Sequence, residues 1–209
     1  TAGLFGLYSL GGNGYLLGFV ALVPWLLTLN SVTTAAGAMR SGLLMGILFV
    51  AAVFAWFGVA IGAYTGIGSM TGLVVILLAA PLLQPQIFVF AVIRYLVGRR
   101  FGPIIRTLAA ASAWVAAEWL IPKLLGDTIG HGLYPSTYLL QVADLGGAGG
   151  ISFILIIVNE CIVYAISHRS DGVRVLIKPL AIALCISMLM LGYGHVRLLG
   201  FDSIADSGI

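Results

Sequence analysis

The stretch Ile151-Ser-Phe-Ile-Leu-Ile-Ile-Val-Asn-Glu-Cys-Ile-Val-Tyr-Ala-Ile-Ser167 is apolar over almost its whole length, with Asn159 and Glu160 near its middle. Its length approaches the roughly 20 residues that a helix needs to cross a bilayer. The apolar residues follow one another without alternation, which excludes a strand of a membrane β-barrel. The stretch therefore predicts a transmembrane helix.

The composition extends this prediction to the whole chain. Hydrophobic residues make up 61% of the 209 residues and charged residues 8%, whereas soluble domains carry about 25% charged residues. Because lipid offers the backbone no hydrogen bonds, such a chain must form helices. We expect an all-α, polytopic transmembrane bundle, with residues 1–209 as a single transmembrane domain and no soluble domain.

Apolar runs along the chain predict about seven membrane segments, of which the first is incomplete. The second is short, which favours a re-entrant or tilted segment, and Pro81 and Pro85 predict a kink in the fourth. Residues 123–150 form the longest connection, which we place in the periplasmic interface. The segments cover about residues 1–10, 15–29, 42–64, 71–97, 107–122, 151–167 and 175–196.

Lysine and arginine predict the orientation of the bundle. With a cytoplasmic N-terminus, Lys123 and Arg197 fall outside and the other basic residues fall inside, which satisfies the positive-inside rule. This predicts a multi-pass protein of the bacterial inner membrane with a periplasmic C-terminus, and no nucleic-acid partner. The inside residues are Arg40, Arg94, Arg99, Arg100, Arg106, Arg169, Arg174 and Lys178.

Two carboxylates lie inside predicted spans, and a third precedes one. An ionisable residue at such depth is a functional-site hypothesis by default, but a buried structural role is the alternative that we favour. Tyr164 is four residues from Glu160 and Trp114 four from Glu118, so each has a local hydrogen-bond partner. If Glu160 is protonated and structural, we expect Glu160→Gln to leave the stability nearly unchanged. Asp144 precedes the sixth span and is a candidate helix cap.

Candidate catalytic and metal-binding groups are sparse. Cys161 adjoins Glu160, but adjacent helical residues do not face each other, and a thiol in an apolar span is inert. The predicted topology places His168 on the opposite side from His131 and His195. We therefore expect no catalytic constellation, no metal site and no cofactor.

Small residues at four-residue spacing predict where helices pack closely. In lipid, helix association depends on such close approach, because apolar burial does not drive it. The pairs Gly42 with Gly46 and Gly58 with Gly62 are the candidates. They favour one compact bundle.

Four segments in register resemble the membrane domain of bacterial apolipoprotein N-acyltransferases. The most informative reads Leu140-Gln-Val-Ala-Asp-Leu-Gly-Gly147, followed by Gly149 and Ser152-Phe153, before the penultimate span. The others are Gly18-Phe-Val-Ala-Leu-Val-Pro-Trp-Leu-Leu27, Trp114-Val-Ala-Ala-Glu-Trp-Leu120, and Tyr193-Gly194 with Arg197-Leu198.

The resemblance implies a membrane half without catalytic residues of its own. That family moves an acyl chain from phospholipid to the N-terminal amine of a lipoprotein, with a Glu, a Lys and a Cys on a nitrilase-like domain that would follow about residue 200. None of the three matches a residue here. Family features are also replaced, notably a Phe-Pro-Pro-Phe-Gly turn by residues 10–14, a Tyr-Trp pair by Ala55-Trp56, and a Phe-Pro-Trp by residues 128–131.

Three functions remain open on the sequence. The first is a non-catalytic scaffold or accessory subunit, with membrane lipids and other membrane subunits as partners. The second is the membrane part of a working N-acyltransferase. A small transporter ranks lowest, since no inverted repeat is visible.

Overall fold

The computed structural model describes residues 1–206, and every regular element among them is a helix, as the sequence predicts. Two 3₁₀ helices, Gly12–Phe19 and Ile129–Leu133, accompany the α-helices. These are α1 (Ala2–Ser9), α2 (Val23–Asn30), α3 (Ala35–Val53), α4 (Ala55–Tyr64), α5 (Ser69–Leu78), α6 (Ala80–Leu83), α7 (Pro85–Gly98), α8 (Pro103–Leu120), α9 (Thr137–Leu140), α10 (Ala143–Ser167) and α11 (Val173–Asp206).

Four helical segments of the described chain are long and apolar enough to cross a membrane. A span needs roughly 20 predominantly apolar residues, and shorter apolar helices accompany these four in α4, α5 and α7. The polytopic helical architecture is confirmed. The four segments are Gly12–Asn30, Ala35–Val53, Ala143–Ser167 and Val173–Gly200.

Two predicted spans are broken in the structure. The third, expected over 42–64, begins earlier and divides at Phe54 into α3 and α4. The fourth, expected over 71–97, divides at Ala79 and Gln84 into α5, α6 and α7, which confirms the predicted kink. Pro81 and Pro85 each lie in the first turn of a new helix, where the N–H that proline lacks has no helical acceptor.

Glycines permit close helix contact at several of the predicted positions. A Cβ on Gly42 would lie 3.0 Å from Phe88 Cα of α7, and one on Gly62 would lie 2.9 Å from Ser69 Cα of α5. Gly58 approaches the backbone of Gly72 in the same α4–α5 hairpin. A Cβ on Gly46 would meet no heavy atom within 4 Å, so that position does not require glycine for packing.

The ends of α8 and α10 position the polar groups described below. Helix α8 ends at Leu120, and Ile121 is extended. Pro122, the last residue of the predicted fifth span, therefore lies outside the helix and interrupts none of its hydrogen bonds. Helix α10 begins before the predicted start at residue 151 and is kinked at Gly146 and Gly147. Gly147 has φ 63°, a left-handed conformation that favours glycine.

Candidate functional site

The buried carboxylate of Glu160 is held by an arginine from another helix. Glu160 of α10 is 2% exposed and Arg94 of α7 is 4% exposed. Arg94 Nε donates to Glu160 Oε1, and its Nη2 donates to Oε2 at 3.0 Å. The pairing is bidentate, because two N–H groups of one guanidinium each bind one carboxylate oxygen, and this is the strongest geometry for such a pair.

The same arginine joins a ring of polar contacts between three helices. Arg94 Nη2 also donates to Asn30 Oδ1 of α2 at 2.9 Å. Asn30 Nδ2 donates to Ser167 Oγ at 3.0 Å, which returns the chain of contacts to α10. The last two turns of α10, from Glu160 to Ser167, are therefore connected to α7 and α2 through side chains alone. We call the end of the bundle that holds Asn30, Arg94, Arg106 and Ser167 the basic end.

Arg106 of α8 adds a second positive charge beside Glu160. Its Nη2 lies 3.5 Å from Glu160 Oε2, and its side chain is 22% exposed. Its Nε is buried and has no hydrogen-bond partner among the described residues. Two guanidinium groups thus face one carboxylate, which leaves this cluster with a net charge of about +1.

Gly98 and Asn159 help to position the side chain of Arg106 and the helix that carries Glu160. A Cβ on Gly98, the last residue of α7, would lie 2.9 Å from Arg106 Cδ, so the glycine makes room for that side chain. Asn159 is fully buried; its Oδ1 accepts from the N–H of Leu22 at 3.0 Å, and its Nδ2 donates to the carbonyl of Gly18 at 2.9 Å. Asn159 therefore fixes α10 against the segment Gly12–Asn30.

A second polar junction surrounds Glu118 at the opposite end of α8. Trp114 Nε1 donates to Glu118 Oε1 at 2.9 Å, and Thr128 Oγ1 donates to Oε2 at 2.9 Å. Thr128 Oγ1 also lies 2.5 Å from Ser152 Oγ of α10. The N–H of Gly130 donates to Ser152 Oγ at 2.9 Å. Neutral donors thus tie α8 to α10 through the connection that follows α8.

Three further contacts hold this opposite end together. Tyr8 OH of α1 donates to the carbonyl of Ile129 at 2.5 Å. Lys123 Nζ lies 3.6 Å from Asp127 Oδ1, four residues later in the connection. Gln84 Nε2 donates to the other carboxylate oxygen of Asp127 at 2.8 Å. The connection 123–150 is therefore anchored to α1, α8 and the α6–α7 break.

In the structure, Glu160 pairs with arginines and not with Tyr164, the partner that the four-residue spacing predicted. The ring of Tyr164 stacks on His168 with centroids 4.1 Å apart, and arginines hold Glu160 instead. The guanidinium of Arg94 reaches both carboxylate oxygens and compensates their charge, which a tyrosine hydroxyl cannot do. At Glu118 the local partner Trp114 does donate a hydrogen bond.

Asp144 lies inside the first turn of α10, where Val142 occupies the cap position. Its Oδ2 accepts from Arg197 Nε of α11 at 2.8 Å. It therefore joins two helices rather than capping one. Cys161 is half-buried and forms no disulfide.

Sequence reasoning did not place Arg94 and Arg106 in the site, because both were assigned to the membrane flank. One signal was available. Arg94 precedes Arg99 by five residues, roughly 7 Å along a helix, so it lies deeper than the basic cluster at the end of α7. The pairing of Arg94 with a residue 66 positions away has no sequence signature.

Comparison with known proteins identifies relatives. Residues 2–161 match the family model described as the apolipoprotein N-acyltransferase N-terminal domain. A curated relative, the apolipoprotein N-acyltransferase of Rhodopirellula baltica (strain DSM 10527 / NCIMB 13988 / SH1), is 35% identical over 68 residues. That match covers 29% of this chain and 11% of the relative. No solved structure matches.

Proposed function

The chain belongs to the apolipoprotein N-acyltransferase N-terminal domain family, and we propose that it acts as a non-catalytic membrane scaffold. In this role it is an accessory subunit of a larger assembly in the bacterial inner membrane, with lipids and other membrane subunits as partners. The family relationship supplies the membrane setting. The scaffold role is our inference from how the buried polar residues are used.

The observation that carries the scaffold proposal is that buried polar groups connect helices. Glu160 joins α10 to α7, Asn159 joins α10 to the segment Gly12–Asn30, and Ser152 joins α10 to the connection after α8. Hydrogen bonds between buried polar groups of different helices make a packed core more rigid. Buried polar side chains in such contacts make the bundle rigid, and a rigid bundle suits a subunit that positions other proteins.

Catalysis tests this proposal directly. The purified chain, in nanodiscs of phosphatidylethanolamine with a diacylglyceryl lipopeptide, should transfer no acyl chain to the peptide amine. The measurement is mass spectrometry of the lipopeptide. Acylation that disappears in Cys161→Ala would overturn the proposal, because it would make that thiol a nucleophile.

A second candidate function is the membrane part of a working N-acyltransferase, and the family match favours it. A cavity of about 190 Å³ lies between α1, α3 and the connection after α8, lined by Phe5, Tyr8, Phe49, His131 and other residues. A mostly apolar recess beside the connection suits part of a lipid substrate. Residues 1–209 contain no match to the catalytic Glu, Lys and Cys of that family, so the test uses these residues fused to the nitrilase-like domain of a family member, expressed in cells depleted of their own N-acyltransferase. Restored growth supports the enzyme and opposes the scaffold.

The orientation is part of the proposal. Basic side chains of α7, α8 and the α10–α11 connection gather at the basic end, and Lys123 and Arg197 lie at the opposite end. The positive-inside rule then places the basic end in the cytoplasm and the C-terminus in the periplasm. Alkaline phosphatase fused after Ile209 should be active. Fluorescence from a cytoplasm-restricted reporter at the same position would reverse the orientation.

A further inference from the structure

An open cavity of about 440 Å³ lies at the basic end, between α2, α7, α8 and the end of α10. Three arginines line it, namely Arg94, Arg99 and Arg106, and His168 lines it as well. The carboxylate facing this group is Glu160, and Arg94 already binds both of its oxygens. The positive charge of Arg99 and Arg106 therefore exceeds the negative charge that the cavity wall supplies.

Arg106 carries an N–H donor that has no acceptor among the described residues. A guanidinium offers five N–H donors in a planar fork. The buried Nε has no partner among the described residues, and Nη2 reaches Glu160 only at 3.5 Å. A buried donor without an acceptor is costly. Gly98 nonetheless leaves space for the side chain at this position, so the fold keeps Arg106 at the cavity wall.

We propose that this cavity binds a phosphate group, with Arg106 and Arg99 as its ligands. Arginine pairs with phosphate through two parallel hydrogen bonds, and basic pockets between transmembrane helices bind lipid head groups. Leu29, Val32 and Phe101 form an apolar part of the same wall, which suits the glycerol and first methylenes of a phospholipid. The head group of an anionic phospholipid and free phosphate share this chemistry.

Lipid binding by the full chain in detergent tests the site, with native mass spectrometry as the readout. Phosphatidylglycerol should bind the wild type more tightly than phosphatidylcholine does. Arg106→Gln should weaken phosphatidylglycerol binding about fivefold or more. Arg174→Gln is the matched control, because Arg174 is exposed on the same end but outside the cavity. It should bind phosphatidylglycerol as the wild type does.

Two further variants keep the test decisive if Arg106→Gln fails to fold. Arg99 is exposed, so Arg99→Gln should fold and still weaken binding. Gly98→Ala keeps every charge but displaces the Arg106 side chain, and it should weaken binding as well. Equal losses in Arg99→Gln and Arg174→Gln would overturn the proposal, since they would reflect surface charge alone. No preference for phosphatidylglycerol over phosphatidylcholine, with no effect of inorganic phosphate, would also overturn it.

Inorganic phosphate distinguishes the two sources. The melting temperature of the wild type and of Arg106→Gln is compared in inorganic phosphate and in chloride at equal ionic strength. Stabilisation of the wild type alone by phosphate supports the site and assigns it to free phosphate. Stabilisation by phosphatidylglycerol, with no effect of inorganic phosphate, supports the site and assigns it to a lipid head group.

Discussion

Glu160 at the basic end is surrounded by arginines from two other helices, whereas Glu118 at the opposite end of the bundle accepts hydrogen bonds from neutral groups. Both carboxylates lie inside an apolar bundle, but Glu160 joins three helices, whereas Glu118 joins α8 to the connection that follows it. The partners of Glu160 come from α7 and α8. Those of Glu118 are Trp114 on its own helix and Thr128 just beyond it.

The difference teaches which junction the fold depends on more strongly. Removing one member of a buried ion pair leaves a charge without compensation, at a cost of about 3–5 kcal/mol. Removing one partner from a neutral hydrogen bond costs about 1–3 kcal/mol. We therefore expect substitutions at the basic end to destabilise the bundle more than equivalent substitutions at the opposite end.

The largest effect should follow from Arg94→Met, which keeps most of the side-chain volume but removes the guanidinium that binds both oxygens of Glu160 and leaves only the more distant Arg106 beside it. We expect a loss of about 3–5 kcal/mol in the free energy of unfolding, measured by equilibrium unfolding in mixed detergent micelles. The double variant Arg94→Met, Glu160→Leu is the control, because it removes both charges of the buried pair and leaves only Arg106, whose side chain is 22% exposed. It should recover most of the loss. A double variant that is as unstable as the single one would show that the charge pair is not the cause.

Glu160→Gln sharpens the same comparison with a smaller effect. A structural, protonated Glu160 predicted a nearly silent substitution, but the ion pair with Arg94 changes that expectation. The amide keeps one acceptor and removes the negative charge, which leaves Arg94 and Arg106 uncompensated. We expect a loss of about 1.5–3 kcal/mol, the range for hydrogen bonds to charged groups, in the same unfolding measurement. Unchanged stability would indicate that Glu160 is protonated.

Thr128→Val tests the neutral junction by removing the hydroxyl that connects Glu118 with Ser152. We expect a loss of about 1–2 kcal/mol, because Glu118 Oε2 loses its donor. Thr65→Val is the matched control. The hydroxyl of Thr65 is exposed and donates to the carbonyl of Ile61 on its own helix, so its removal should change stability little. Equal effects at both threonines would mean that the junction contributes no stability of its own.

The sequence predicted the helical class and the proline-associated break because each rests on local chemistry. Apolar runs require helices in lipid, and Pro81 and Pro85 each lack an N–H. The hydrogen bond from Trp114 to Glu118 was equally predictable, since residues four apart on a helix meet. The predicted span ran to residue 122 and missed the end of α8 at Leu120, although Pro122 disfavours a helical conformation at the residue before it, and Ile121 is extended.

The partners of Glu160 could not be predicted in the same way. Arg94 and Glu160 meet only because α7 packs beside α10, and helix packing in lipid leaves a weak sequence signal in small residues. Asn159 and Ser152 bind backbone groups of distant segments, Leu22 and Gly130, that carry no side-chain pattern. Tertiary packing therefore decides which charges become buried, and the positive-inside count assigns every arginine to the flank.

Glu118→Gln should have the smallest effect, because the neutral junction can reverse its hydrogen bonds. The amide oxygen can accept from Trp114 Nε1, which is a donor only. The amide nitrogen then faces Thr128, whose hydroxyl can turn to accept from it and donate to Ser152. Ser152 Oγ already contacts the N–H of Gly130 and the carbonyl of Ala148, so every group keeps a partner. We expect a loss below about 1 kcal/mol.

Glu118→Leu is the comparison, since it leaves Trp114 Nε1 without an acceptor and should cost about 1–3 kcal/mol. A loss in Glu118→Gln as large as in Glu160→Gln would show that Glu118 is held as an anion, and the contrast between the two junctions would not stand.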